Sequence, residues 1–182
     1  MKTACRYLGF MLVPFLCLAS CDSKSPVQTA DDMETAASAV SDCGGFTDSA
    51  KRSAGDMPFT LDSEIYEDAE RLLWRYDRET AVLSILNARV ILNCCGEHAI
   101  SASQEKDSIV IAENDQPEDG TKRCRCTCAY DFFVELSEIS PRVIPLKLTL
   151  TVDDSTWTKW QGNIDVTGES GEFIIPGVSN EL

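Results

Sequence analysis

RCRCTCAYDFFVEL, residues Arg123 to Leu136, decides the fold. Taken two at a time, Cys124, Cys126, Cys128, Tyr130, Phe132, Val134 and Leu136 fall on one side, and Arg123, Arg125, Thr127, Ala129, Asp131 and Glu135 on the other. Only a β-strand sorts residues with that period, because successive side chains of a strand point to opposite faces. Phe133 is the single break in the polar side. The expectation is a half-buried strand whose apolar face carries three cysteines into, or to the end of, a core.

The same period returns on either side of this stretch. Downstream, Ile144, Leu146, Leu148, Leu150 and Val152 alternate with Pro145, Lys147, Thr149, Thr151 and Asp153. Upstream, in the β-rich run Ala81 to Cys95, Ala88, Val90, Leu92 and Cys94 share one face, and Arg89, Ile91, Asn93 and Cys95 the other. His98 to Ser103 and Ser108 to Glu113 read as a hairpin joined by Gln104 to Asp107. Trp157 to Trp160, Asn163 to Thr167 and Glu172 to Ile175 are short strands separated by Gly162, Gly168 and Gly171. Leu72, Trp74 and Tyr76 favour a strand over Glu70 to Tyr76. Ile65, Ala69, Leu72 and Tyr76 also fit a helical stripe, which keeps a short helix open over Ser63 to Arg71, and Ala30 to Val40 is a second helical candidate. The sum is an all-β domain, an antiparallel sandwich or partly open barrel of about 7–9 strands.

Charge narrows the partners. The 182 residues hold 30 acids against 16 bases, a net charge of −14. The only charged residues before Cys21 are Lys2 and Arg6, so the remainder carries −16. Such a chain repels phosphate backbones, and nucleic acid is not an expected partner. Anionic lipid headgroups are disfavoured for the same reason, so any membrane attachment must come from something other than a basic patch.

The amino terminus supplies that attachment. Lys2 and Arg6 precede an apolar run, Tyr7 to Leu18, that contains Pro14. It is shorter than the roughly 20 residues needed to span a bilayer core, and it reads as an export signal. It ends in Leu18-Ala19-Ser20-Cys21, which resembles the lipobox of bacterial lipoproteins: a branched aliphatic residue, two small ones, then cysteine. The resemblance covers the signal alone. It implies cleavage before Cys21, acylation of the Cys21 thiol and of the new amino group, and a chain held in the bacterial cell envelope by its lipid. Several acyl chains anchor stably, since each buried methylene contributes roughly 0.8 kcal/mol and one chain alone is marginal. The competing reading is an ordinary cleaved signal that leaves an exported protein with a free Cys21. Asp22 resembles the inner-membrane retention signal of enteric bacteria, a rule other bacteria do not follow, so inner and outer membrane both stay open.

Three regions follow: a signal over 1–20, an acidic flexible tether over 21–58 and the β-domain over 59–182. The tether is rich in Ser, Ala, Asp, Thr and Gly with no sustained apolar period. Cys43, beside Gly44 and Gly45, either staples the tether to the domain or is a stray thiol.

Nine cysteines are present. Cys5 and Cys17 leave with the signal and Cys21 takes the lipid, so six remain: Cys43, Cys94, Cys95, Cys124, Cys126 and Cys128. Outside the cytoplasm an even number reads as disulfides. Residues two apart on a strand are separated by about 6.6 Å, at or beyond the upper end of disulfide Cα separations. The three cysteines of the strand therefore take partners elsewhere, and Cys43, Cys94 and Cys95 are the three available. Cys94 and Cys95 both reach the strand only if the chain bends there, which Gly96 permits. Each bridge adds about 2–4 kcal/mol, mostly by restricting the unfolded chain.

A metal site competes for the same sulfurs. Cys94, Cys95 and His98 with Cys124, Cys126 and Cys128 offer thiolates and one imidazole that zinc or copper(I) would accept. The spacing matches none of the usual zinc pairs, and thiolate ligation requires the reduced state. His98 alternates with Ile100 and Ala102, the pattern of a hydrogen-bonded sheet histidine. Glu113, Asp115, Glu118 and Asp119 offer oxygens to calcium but lack the EF-hand spacing, and they read as a solvated acidic turn. Trp74, Trp157 and Trp160 could form an aromatic ligand platform, but core packing is the default, with one of the last two free to be exposed. There is no GxSxG elbow, glycine-rich phosphate loop, HExxH or CxxC redox pair, and a single histidine, His98, to serve any base-assisted mechanism. No enzyme and no cofactor are expected. The NCCG and CxCxC pair is also similar to that of uncharacterised exported cysteine-containing β-domain proteins, a likeness that assigns no site. The leading expectation is a non-enzymatic binding or structural module on a lipid anchor, its partner an envelope protein or small ligand; the alternative is a zinc- or copper-binding protein of the periplasm.

Overall fold

The computed structural model describes residues 33–46, 59, 69–118 and 122–176. Among them there are nine strands and no helix: β1 Glu34–Val40, β2 Glu70–Asp77, β3 Val82–Asn93, β4 Glu97–Glu105, β5 Ser108–Gln116, β6 Thr127–Ser137, β7 Val143–Val152, β8 Ser155–Asp165 and β9 Ser170–Ile175. They form two layers, a five-stranded sheet in the order β1-β6-β3-β2-β9 and a four-stranded sheet in the order β4-β5-β7-β8. The expected all-β sandwich is what the chain adopts.

The core follows from the period of two. Phe132, Val134 and Leu136 of β6, Leu83 and Ile85 of β3, and Leu72 of β2 meet Ile111 of β5 and Ile144, Leu146 and Leu148 of β7, all essentially excluded from solvent. Burying each such side chain contributes roughly 1.5–3 kcal/mol. Every strand pair but one is antiparallel. β5 and β7 run parallel, because β6 lies between them in the chain and sits in the opposite sheet, so the return strand re-enters beside β5 in the same direction.

Three local expectations change. The stretch Ala30 to Val40, a helical candidate, is strand over Glu34–Val40 and pairs with β6. Residues 34–46 thus belong to the five-stranded sheet and its cover, and the spacer expected over 21–58 does not run unbroken. Neighbouring sequence alone could not reveal a strand whose hydrogen-bond partner is almost a hundred residues away, Val40 opposite Phe132. Glu70 and Arg71 are strand, and the rest of the Ser63–Arg71 helix candidate apart from Ala69 lies outside the described residues. Trp157 to Trp160 and Asn163 to Asp165 are one continuous strand, β8, with Gly162 inside it.

The polar side of β6 is buried in its middle, at Asp131 and Phe133. Phe133 packs with Phe46, Phe59, Leu73, Leu86 and Ala88 on the outer face of the five-stranded sheet, and the Phe59 ring meets Phe133 edge-on at 6.4 Å. That second, smaller core explains the one break in the alternation. Next to it Asp131 is 2% exposed. Its Oδ2 accepts the backbone N–H of Phe46 at 2.8 Å and its Oδ1 that of Arg89 at 2.8 Å. Its own N–H donates to Ser41 Oγ at 2.9 Å, and its carbonyl accepts from Ser41 N at 2.9 Å. Arg89 has φ 67° at the bulge between Asn87 and Val90, which points its N–H at Asp131 rather than along the ladder. Gly45 has φ 84°, and a Cβ there would stand 2.6 Å from Asp131 Oδ2.

Asp131→Ala strands the Phe46 and Arg89 N–H groups without acceptors in a buried place, and an orphaned buried donor costs about 1–3 kcal/mol. Urea unfolding of the disulfide-intact chain is expected to show a loss of about 2–5 kcal/mol at unchanged slope. Asp131→Asn, which keeps one acceptor oxygen, is expected to lose less.

Candidate functional site

The cysteines meet at one end of the sandwich. β6 begins at Thr127, so Cys128 alone of the three is within the strand, while Cys124 and Cys126 sit on the non-strand approach to it. The expectation of three cysteines in one regular strand is corrected to that extent. Cys128 packs against the main core as the alternation requires. On the other side of the site, the chain leaves β3 at Asn93, turns through Cys94, Cys95 and Gly96, and enters β4 in the opposite sheet at Glu97.

Three disulfides tie these segments: Cys43–Cys128, Cys94–Cys126 and Cys95–Cys124, with Cα separations of 5.3, 5.7 and 5.6 Å. All lie within the ordinary range for a bridge. Each strand or pre-strand cysteine takes one partner from Cys43, Cys94 and Cys95, as the geometric argument required. Cys43 staples the chain after β1 to the start of β6, so it is not a stray thiol. The turn is further held by polar contacts: Asn93 Nδ2 donates to the Cys124 carbonyl at 2.7 Å, and Cys95 N to Asn93 Oδ1 at 2.9 Å.

Beside the bridges lies a charged knot. Arg123 Nη1 bonds Asp115 Oδ1, its Nη2 donates to the Asp115 carbonyl at 2.7 Å and to Asp153 Oδ1 at 2.6 Å. Burial works against the Arg123 charge, but the hydrogen bonds and charges of Asp115 and Asp153 outweigh it and hold the guanidinium above its ordinary range. Gly96 makes this possible by leaving room. A Cβ there would stand 2.7 Å from Asp115 Oδ1 and 2.8 Å from Arg123 Nη1. The glycine that permits the turn therefore also admits the ion pair.

His98 belongs to this knot and not to the sulfurs. Its ring stacks on Tyr130 with centroids 4.0 Å apart, and Nε2 is 3.4 Å from Asp115 Oδ1, close enough for ion pairing but off hydrogen-bond geometry. Burial, then the charges of Asp115 and Asp42, push the Tyr130 phenol up, which keeps it neutral.

Among the described residues, the group of sulfurs that comes together is Cys94, Cys124 and Cys126, within 4.8 Å of one another. Cys124 Sγ and Cys126 Sγ are 3.2 Å apart, and Cys95 is bonded to Cys124. The metal set expected from sequence is thereby redrawn. Cys128 is paired with Cys43 and His98 faces Asp115, and of the expected ligands Cys94, Cys124 and Cys126 stay together. While the bridges are formed, these sulfurs carry no thiolate charge to offer a metal.

The acidic turn is the largest correction. Glu113, expected at the end of a strand but solvated, and Asp115, expected beyond it, both lie on the inner face of β5, 0% and 1% exposed, in register with Ile109 and Ile111. Glu118 is exposed, and Asp119 lies outside the described residues. The signal was present in the sequence as continued alternation, Ile109, Ile111, Glu113, Asp115; the carboxyl groups masked it. Trp160 packs on the core against Phe173, ring centroids 4.7 Å apart, while Trp157 is exposed. On the outer face of the five-stranded sheet, Phe59, Leu73, Arg75 and Glu172 line a shallow open depression of about 400 Å³.

Comparison with protein-family models, with curated proteins and with solved structures finds no match to this chain.

Removing Cys43 and Cys128 together, as serines, is expected to cost about 2–4 kcal/mol in urea unfolding. The Cys95→Ser/Cys124→Ser pair is expected to cost less, because its bridge spans 29 residues against 85 and confines the unfolded chain less. Equal or reversed losses would mean that the bridges act mainly on the folded state.

Proposed function

We propose that this chain is a lipid-anchored protein of the bacterial cell envelope, and that its disulfide-stapled β-domain is a non-enzymatic binding or structural module outside the cytoplasm. The observation that carries the reading is the complete pairing of the six cysteines that remain once Cys5, Cys17 and Cys21 are assigned to the signal and the lipid. Disulfides persist where the surroundings oxidise thiols. A cysteine left over at position 21, directly after Leu18-Ala19-Ser20, is then accounted for by acylation. No helix among the described residues is long and apolar enough to cross a membrane, so attachment through the Cys21 lipid is the route proposed here. Residues 22–32 separate Cys21 from Met33 and β1 in the chain.

The proximity of Cys94, Cys124 and Cys126 favours one second reading, a soft-metal site for zinc or copper(I) in the reduced protein. It uses the sulfurs of two bridges and leaves Cys43–Cys128 intact.

Growth of expressing cells on labelled palmitate is expected to label the protein, and Cys21→Ala is expected to abolish the label and release the domain from membranes. Label retained in Cys21→Ala would refute the anchor. Thiol counting on the purified, unreduced domain is expected to find no free thiol other than Cys21 when unacylated, and metal analysis of the same sample no stoichiometric zinc or copper. Three or more free thiols with one equivalent of either metal would replace the stapled module by the metal reading.

A further inference from the structure

Four polar side chains from four strands and both sheets meet inside the sandwich. Asn87 of β3 is 1% exposed and Glu113 of β5 fully buried; the Lys159 side chain of β8 is 3% and that of Glu70 of β2 15% exposed. Asn87 Nδ2 donates to Glu70 Oε1 and to Glu113 Oε1, both at 2.7 Å. The Lys159 ammonium touches Glu70 Oε1 and lies 3.5 Å from Glu113 Oε2. Lys159 reaches inward because the β7–β8 register shifts between Leu148 and Thr149, and a bulge re-aims the side chain at the shift.

Two acids therefore face one base in a place with little water. Asn87 Oδ1 and Glu113 Oε2 are enclosed without a hydrogen bond, and the one ammonium within reach of Glu113 Oε2 is already in contact with Glu70. With both carboxyl groups ionised, the cluster would hold an uncompensated negative charge, which an apolar interior penalises heavily. We propose that Glu70, Asn87, Glu113 and Lys159 form a proton-binding site that couples the seating of one sheet on the other to pH. The bound proton resides on the Glu113 carboxyl group, leaving Glu70 as the partner of Lys159. It removes the excess charge and turns an orphaned acceptor oxygen into a donor.

The surroundings of Glu113 assign the proton to it. Glu70, Asn87 and Lys159 are the charged and polar groups that β2, β3 and β8 bring to it, and its register neighbours on β4 and β7 are Ile100 and Leu150. Asp115, two residues along β5, is already engaged by Arg123. Burial pushes the Glu113 carboxyl up to about 7, against the pull of Lys159 and of the Asn87 hydrogen bond. An acid held above its unfolded value binds its proton more tightly when folded, so its contribution is complete below about 4.5 and is lost as pH rises through about 7.

The test compares the disulfide-intact chain with its Glu113→Gln variant, which mimics the protonated state. Between pH 5 and pH 8 the ratio of their unfolding constants, wild type over variant, is expected to rise on the order of fifty- to a hundred-fold. Ionisable groups away from the cluster are common to both proteins and cancel in the ratio. Carbon-13 NMR of the wild-type carboxyl groups is expected to show Glu113 titrating near neutrality, and it decides the matter alone if the variant does not fold. A pH-independent ratio, or a Glu113 signal moving at the ordinary carboxyl range, would overturn the proposal.

Discussion

Strand β6 is hydrogen-bonded along both edges and covered on both faces, and the rest of the domain is arranged by that constraint. β1 and β3 take its edges. Its inner face, Tyr130 through Leu136, joins the main core, while Phe133 joins the outer one. Asp131 supplies the polar counterpart by satisfying backbone donors from two other segments at once. A strand so enclosed has few alternative registers, because a slip by one residue would turn Phe132 and Val134 out of the core and Asp131 into it. The disulfides add to this at its start: one bridge ties the chain after β1 to Cys128 near the beginning of β6, and two pin the β3–β4 crossing against its approach.

The interior is not uniformly apolar. Asp115 with Arg123, and Glu113 with Lys159, place two charged knots along the inner face of β5. Such groups are costly to bury and are tolerated when their charges are matched. Asp115 meets that condition through the Arg123 guanidinium, whose second carboxylate partner, Asp153, is exposed to water. Glu113 meets it only in part, which is why that residue, and not its neighbour, carries the proton-linked behaviour argued above. Both knots span the two sheets or the crossing between them, so they act on how the layers sit together and not on either sheet alone.

Much was legible in the chain itself. The alternation in Ile144 to Val152 and in Tyr130 to Leu136 named the core strands and their inner faces, because period two has one physical cause. The limits on bridge length named the cysteines that must pair across the fold. What escaped were features whose cause lies far away in sequence. β1 has little apolar pattern of its own and exists because β6 offers an edge and Cys128 a sulfur. Lys159, between Trp157 and Trp160, is turned inward at a bulge that its neighbours in sequence do not announce. Glu113 and Asp115 looked like a solvated turn, since composition outvoted period.

Local periodicity and stereochemistry thus indicated, from the one-dimensional chain, most of the strands, the inner faces of Tyr130 to Leu136 and Ile144 to Val152, and which cysteines are eligible to bridge. The proposal of export and lipid attachment also rests on the chain alone, on the resemblance of Leu18-Ala19-Ser20-Cys21 to a lipobox. The pairing order of the sheets, the parallel β5–β7 contact, the choice of Cys43 for Cys128 and the meeting of Glu113 with Lys159 were decided only in three dimensions. Each of these joins residues remote in the chain, and the free energy that selects them comes from excluding water and matching charge at contacts that do not exist until both layers are in place.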